Sequence, residues 1–106
     1  MNLFNDKVII VTGAASGIGQ ALSEELCSRG AHVILTDWKD EQVCRVTDAI
    51  PATCGSASSV CLDVTDFDAV KALVDDTVKK HGRLDYLFNN AGIAVGGEVR
   101  DIGIDA

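Results

Sequence analysis

The chain has 106 residues, a formal net charge of -7 and 47% hydrophobic residues. That length supports one small domain with a single core, and the apolar fraction excludes a disordered chain. The acidic balance argues against nucleic acid or an anionic membrane surface as a partner, and no apolar run is long enough to span a membrane.

The opening Met1 to Lys7 lacks a basic region followed by a long apolar run, so a secretory signal is not expected. Cys27, Cys44, Cys54 and Cys61 form no C-x-x-C pair and match no common zinc spacing, and His32 and His81 stand alone. The expectation is a cytoplasmic protein with reduced thiols and no metal.

Val8-Ile9-Ile10-Val11 reads as a strand buried on both faces. Thr12-Gly13-Ala14-Ala15-Ser16-Gly17-Ile18-Gly19 then turns the chain into a helix. Gly13 permits the sharp turn, Gly17 leaves room for a ligand beside the backbone, and Gly19 lets the helix pack close to the strand. The unpaired N–H groups of a helix N-terminus favour an anion there, and a pyrophosphate is the expected one.

Ile18, Ala21, Leu22 and Leu26 share one helix face, and Gly30 suits the left-handed position that ends the helix. His32 to Asp37 reads as a second buried strand. A helix from about Asp40 to Ile50 follows, with Val43, Val46 and Ile50 on one side and Pro51 after it. Ala52 to Ser59 is expected to be a loop, and Val60-Cys61-Leu62 a short third strand. Thr65 is the expected N-cap of the next helix, with Asp68 in the capping-box position and Val70, Leu73, Val74 and Val78 on its apolar face. Lys79, Lys80 and His81 suit that helix's C-terminus, before Gly82. Asp85 to Asn89 is the fourth strand, Asn90-Ala91-Gly92 turns out of it, and residues 93–106 form an irregular tail.

This alternation predicts an α/β fold: a Rossmann-type parallel sheet with helices on both faces, ending after about four strands, in a single dinucleotide-binding domain over 1–106. Gly13, Asp37, Asp63 and Asn89-Asn90 fall at or just past the carboxyl ends of four strands, where such sheets bind ligands. Asp37 can accept hydrogen bonds from the ribose hydroxyls of an adenosine and would repel the 2′-phosphate of NADP. Neither Ser16 nor Trp38 is basic, which favours NAD, while Lys39 is the one cation nearby. Trp38 either covers the adenine or is an exposed or core-edge residue. Asp63 and the Val64 backbone suit the adenine, although Asp63 also suits a cap. One of Asn89 and Asn90 suits a link between the loops of neighbouring strands through backbone hydrogen bonds, and Gly92 suits close passage beside the cofactor, although Asn and Gly are also ordinary turn residues.

Thr12-Gly13-Ala14-Ala15-Ser16-Gly17-Ile18-Gly19 together with Asn89-Asn90-Ala91-Gly92 resembles the short-chain dehydrogenase/reductase family, over nearly the whole chain. Asp37 and Asp63-Val64 match that family's NAD-type pattern. The resemblance implies a Rossmann fold and hydride transfer between a nicotinamide and an alcohol or carbonyl. It carries over Gly13, Ser16, Ile18, Asp37, Asp63, Val64 and Asn90 as cofactor contacts.

The family's catalytic Ser and Tyr-x-x-x-Lys lie downstream of the Asn-Asn-Ala-Gly motif, and no counterpart occurs here. The single tyrosine, Tyr86, is followed four residues on by Asn90 and sits in the fourth strand, where it reads as core. The sequence thus resembles a cofactor-binding half. Two other readings are a non-catalytic nucleotide- or partner-binding module, and a different Rossmann enzyme such as a methyltransferase; the Asn-Asn-Ala-Gly motif and Thr12 argue against the latter. The outer edge of the fourth strand is expected to promote self-association.

Overall fold

The structure is a computed structural model and describes residues 3–15, 17–51 and 55–90. The elements run β1 (Val8–Thr12), α1 (Gly17–Ser28), β2 (His32–Asp37), α2 (Asp40–Ala49), β3 (Ser56–Cys61), α3 (Phe67–His81) and β4 (Tyr86–Asn89). The four strands form one sheet in the order β3-β2-β1-β4, every pairing parallel. The chain steps outward from β1 to β3, then returns to the other side of β1 as β4. The strand order therefore reverses beside β1, which makes the β1–β4 boundary the switch point.

Every residue of β1 is buried. Ile9 and Val11 pack with Val33, Leu35, Leu26, Cys27, Val43 and Val46, so one face is covered by α1 and α2. Val8 and Ile10 pack with Ile34, Leu73 and Val74, so the other is covered by α3. This is the expected two-faced sheet, and the β-branched run of β1 suits it because both of its faces are dry. Tyr86 is half-buried against the first cluster, edge-on to Phe4 with centroids 6.0 Å apart. It is a packing residue, as the sequence suggested.

The end of α1 is a Schellman arrangement: Gly30 takes a φ of 92°, its N–H donates to Cys27 O, and the Ala31 N–H donates to Leu26 O. Gly82 closes α3 with a φ of 82°, its N–H donating to Val78 O.

Four expectations need correction. First, β3 begins at Ser56, inside the segment expected to be a loop, and stops at Cys61 before Leu62. Its serines carry little apolar signal because β3 is an edge strand with half-exposed side chains, and the register with β2 supplies its hydrogen bonds. Second, the buried face of α1 is Gly19, Ser23, Leu26 and Cys27, while Ile18 is 77% exposed and Ala21 is exposed. Contact of Gly19 with the glycine turn sets the rotation of the helix. Third, the N-cap of α3 is Asp66, not Thr65; Asp66 Oδ1 accepts from the Ala69 N–H at 3.1 Å. Fourth, Thr77 is the buried residue of α3, and Val78 is exposed. The tail over 93–106 lies outside the described residues.

Candidate functional site

The loop after β1 is shaped by its backbone. Gly13 and Gly17 have φ values of 65° and 60°, in the left-handed region that favours glycine. A Cβ on Gly17 would meet nothing within 4 Å, so the space beside it is open at the start of α1. Gly19 is required for a different reason: a Cβ there would run into the carbonyl oxygen of Gly13 and lie 2.8 Å from Asn90 Nδ2. The first turn of α1 consequently presents its unpaired amides over the end of β1.

Hydrogen bonds from three sides hold this loop. The Ala14 N–H donates to Thr36 O at 3.0 Å. The Ala15 N–H donates to Asp37 Oδ2 at 3.1 Å, and Gln42 Nε2 donates to Ala15 O at 3.2 Å. The other Asp37 oxygen accepts from the Lys39 N–H at 3.1 Å. An ionised carboxylate offers about four lone-pair sites, so Asp37 keeps acceptor capacity at the rim after these two bonds. Trp38 is 69% exposed, and Lys39 Nζ lies 5.5 Å from the centroid of its ring.

On the switch-point side, Thr12 Oγ1 donates to Asn89 Oδ1 at 2.9 Å, and Asn90 Nδ2 donates to Gly13 O at 3.2 Å. The link expected from one asparagine is made by both. After β3, Asp63 Oδ1 accepts from the N–H and the hydroxyl of Thr65, at 2.9 and 2.6 Å. These bonds hold the Asp63 carboxyl below the usual carboxylate range. They also hold the Thr65 hydroxyl against Asp63, while Asp66 supplies the oxygen that caps α3.

Gly13, Asp37, Trp38, Asp63, Val64 and Asn90 thus lie at the carboxyl ends of the strands or just past them, and Gly17, Ile18 and Gly19 form the first turn of α1 at the same rim. Ser16, Ala91 and Gly92 lie outside the described residues. Gln42 was not anticipated, and its only sequence signal is a place in the first turn after the acidic strand end. Phe67 opens α3 at this rim and is 77% exposed. Among the described residues no group of three or more His, Cys, Asp or Glu side chains is arranged to hold a metal ion. No helix among them is long and apolar enough to cross a membrane.

This arrangement is shared with known proteins. The sequence pattern of the family described as short chain dehydrogenase matches residues 7–105. The meso-2,3-butanediol dehydrogenase of Serratia marcescens is 40% identical over 102 residues, covering 96% of this chain and 40% of that enzyme. A metagenomic short-chain oxidoreductase solved in complex with NADP has a TM-score of 0.78 and 40% identity, covering 85% of this chain and 41% of its own. An NAD+-bound xylitol dehydrogenase has a TM-score of 0.78 and 38% identity, covering 85% of this chain and 35% of its own. The chain spans about two-fifths of the length of these relatives. With the glycine turn, the switch point and the asparagine link all in place, the chain belongs to the short-chain dehydrogenase/reductase family and holds its Rossmann nucleotide-binding fold.

Proposed function

We propose that this chain is the NAD(H)-binding portion of a short-chain-type oxidoreductase, with the dinucleotide laid across the rim from Asp37 to Asn90. The observation that carries the reading is the bond between Asp37 Oδ2 and the Ala15 N–H, which holds a carboxylate beside the turn expected to take the pyrophosphate. The pyrophosphate would sit on the open side of Gly17 and the first turn of α1. Asp37 would accept from the adenosine ribose, with Trp38, Asp63 and Val64 toward the adenine. Ser16, Ala91 and Gly92 join the set through the family motifs.

The local charge favours NAD over NADP. Asp37 ends β2 and the first turn of α2 brings two further acids, Asp40 and Glu41, so a 2′-phosphate near Asp37 would be repelled. Lys39, the nearby cation, is placed over the Trp38 ring. A cytoplasmic location accords with the free thiols of Cys27, Cys44 and Cys61.

A bound nicotinamide would supply or take up hydride. The substrate oxygen also needs a positioned acid or base, and the sequence holds no Tyr-x-x-x-Lys of the family's pattern, its one tyrosine, Tyr86, being followed four residues on by Asn90. Binding without turnover is therefore expected of the 106-residue chain. Calorimetric titration with NAD, run beside a NADH absorbance assay on alcohols and ketones, tests both parts. Saturable binding that Gly17→Asp abolishes, with no turnover, is the expected result. A folded chain that binds no dinucleotide would instead favour a partner-binding module, and turnover lost in Gly17→Asp would show a catalytic group within this chain.

A further inference from the structure

The rim opposite the glycine turn carries a second cluster. His32 opens β2 and His81 closes α3, and their imidazole rings are stacked, with centroids 6.0 Å apart and planes 25° from parallel. His32 Nδ1 lies 2.8 Å from Ser56 Oγ at the start of β3. Its Nε2 lies 3.8 Å from Asp6 Oδ1. Asp6 takes a φ of 63°, unusual for a residue other than glycine, and its N–H donates to Gly30 O. The stack thus joins the final turn of α3 to a point where the N-terminal segment, β2 and β3 already meet.

This end of α3 has little else to hold it. Thr77 is the helix's one buried residue among those described. A solvent-open cleft of about 350 Å³ lies between α3 and the β2–β3 side of the sheet, with Ser58, Ala69, Ala72 and His81 in its lining.

The charges facing the stack are unevenly placed. From α3 come Lys80 beside His81, with Lys79 before it and Asp76 on the cleft wall. From the N-terminal segment come Asp6, at His32, and Lys7. After the helix, Arg83 is paired with Asp85 at 2.8 Å. Among the described residues no carboxylate forms an ion pair with His81. Protonating both rings would therefore set two like charges face to face with Lys80 alongside.

We propose that the His32–His81 stack is an acid-sensitive latch, closed while the rings are neutral and opened by protonation, which frees the last turn of α3 from the start of β2. The proposal does not depend on dinucleotide binding. Burial, His32 and Lys80, in that order, push the His81 imidazole below its usual value. The folded chain then binds fewer protons there than the unfolded chain does. The stabilisation is full above the unfolded imidazole value of about 6.5 and is lost as pH falls below it, down to the folded value.

Amide hydrogen exchange on the 106-residue chain tests the latch between about pH 7.5 and about pH 5.5, the range of imidazole titration. Protection factors over Thr77–His81 should fall severalfold on acidification, while those of β1 hold. His81→Phe keeps an aromatic ring that cannot charge and should remove the fall; an undiminished fall in that variant would overturn the proposal. Should that variant not fold, an NMR titration of the His81 ring decides. His32→Gln should raise its midpoint, and an unchanged midpoint would equally overturn it.

Discussion

The hydroxyl of Thr12 donates to the side-chain oxygen of Asn89 across 2.9 Å, joining the last residues of β1 and β4 at the switch point of the sheet. Thr12 is buried, so its hydroxyl needs an internal partner, and the bond holds the end of β4 beside the glycine loop. Thr12→Val keeps the shape and removes the donor. It should destabilise the chain by about 1 kcal/mol, or more if Asn89 is left without a partner. In urea unfolding the midpoint should fall with an unchanged slope; an unaltered midpoint would show that the bond contributes nothing.

At the other end of the same strand pair, Asp85 Oδ2 accepts from the Val8 N–H at 2.8 Å and Asp85 Oδ1 accepts from Arg83 Nη2 at 2.8 Å. The Arg83 bond, with smaller help from the Val8 bond and the charges of Arg83 and Lys7, holds the Asp85 carboxyl below its usual range despite the opposing effect of burial. A depressed carboxylate contributes stability above its unfolded value of about 3.9, and loses it as pH falls through the folded value. The Asp85 side chain is 17% exposed but Arg83 is 51% exposed, so solvent weakens the pair. Asp85→Asn, which keeps an acceptor for Val8, should therefore cost about 1 kcal/mol at neutral pH. The cost should shrink in strong acid; a constant cost from neutral to acid would refute the charged-bond account.

Strand β4 pairs with β1 on one side, and among the described residues nothing pairs with its other edge. Tyr86, Leu87 and Phe88 along it are only half-buried. An open edge beside apolar side chains templates association. The 106-residue chain should sediment with an average mass that rises with concentration. A monomer at all concentrations with a sharp two-state melt would contradict this.

Much of this architecture was legible in the residues, and what was misread has identifiable causes. β1 and β2 stood out because strands in the sheet interior are apolar, and β4, although at the edge of the described sheet, stood out through Tyr86-Leu87-Phe88. β3 did not, because an edge strand tolerates Ser-Ala-Ser-Ser and owes its conformation to pairing with β2. The α1 face was misread because periodicity weighs Ile18 heavily and Gly19 not at all. It is the Gly19–Gly13 contact that orients the helix and leaves Ile18 at the open rim. The cap of α3 was read as Thr65; Asp66 caps the helix instead, while Asp63 binds the Thr65 hydroxyl, a bond no spacing rule reveals. The rim residues were legible because strand ends locate them. Gln42 was not, because its role depends on where α2 sets its first turn.

The central claim, that Asp37 makes this rim an NAD site, is tested most directly by calorimetric titration of NAD and NADP against the wild-type chain and Asp37→Asn. The substitution removes the charge but retains an oxygen able to accept from Ala15. The wild type should bind NAD on the order of tenfold more tightly than NADP, equivalent to about 1.4 kcal/mol. In Asp37→Asn the gap should narrow, chiefly through a gain in NADP affinity. Equal affinities for the two cofactors in the wild-type chain would contradict the claim.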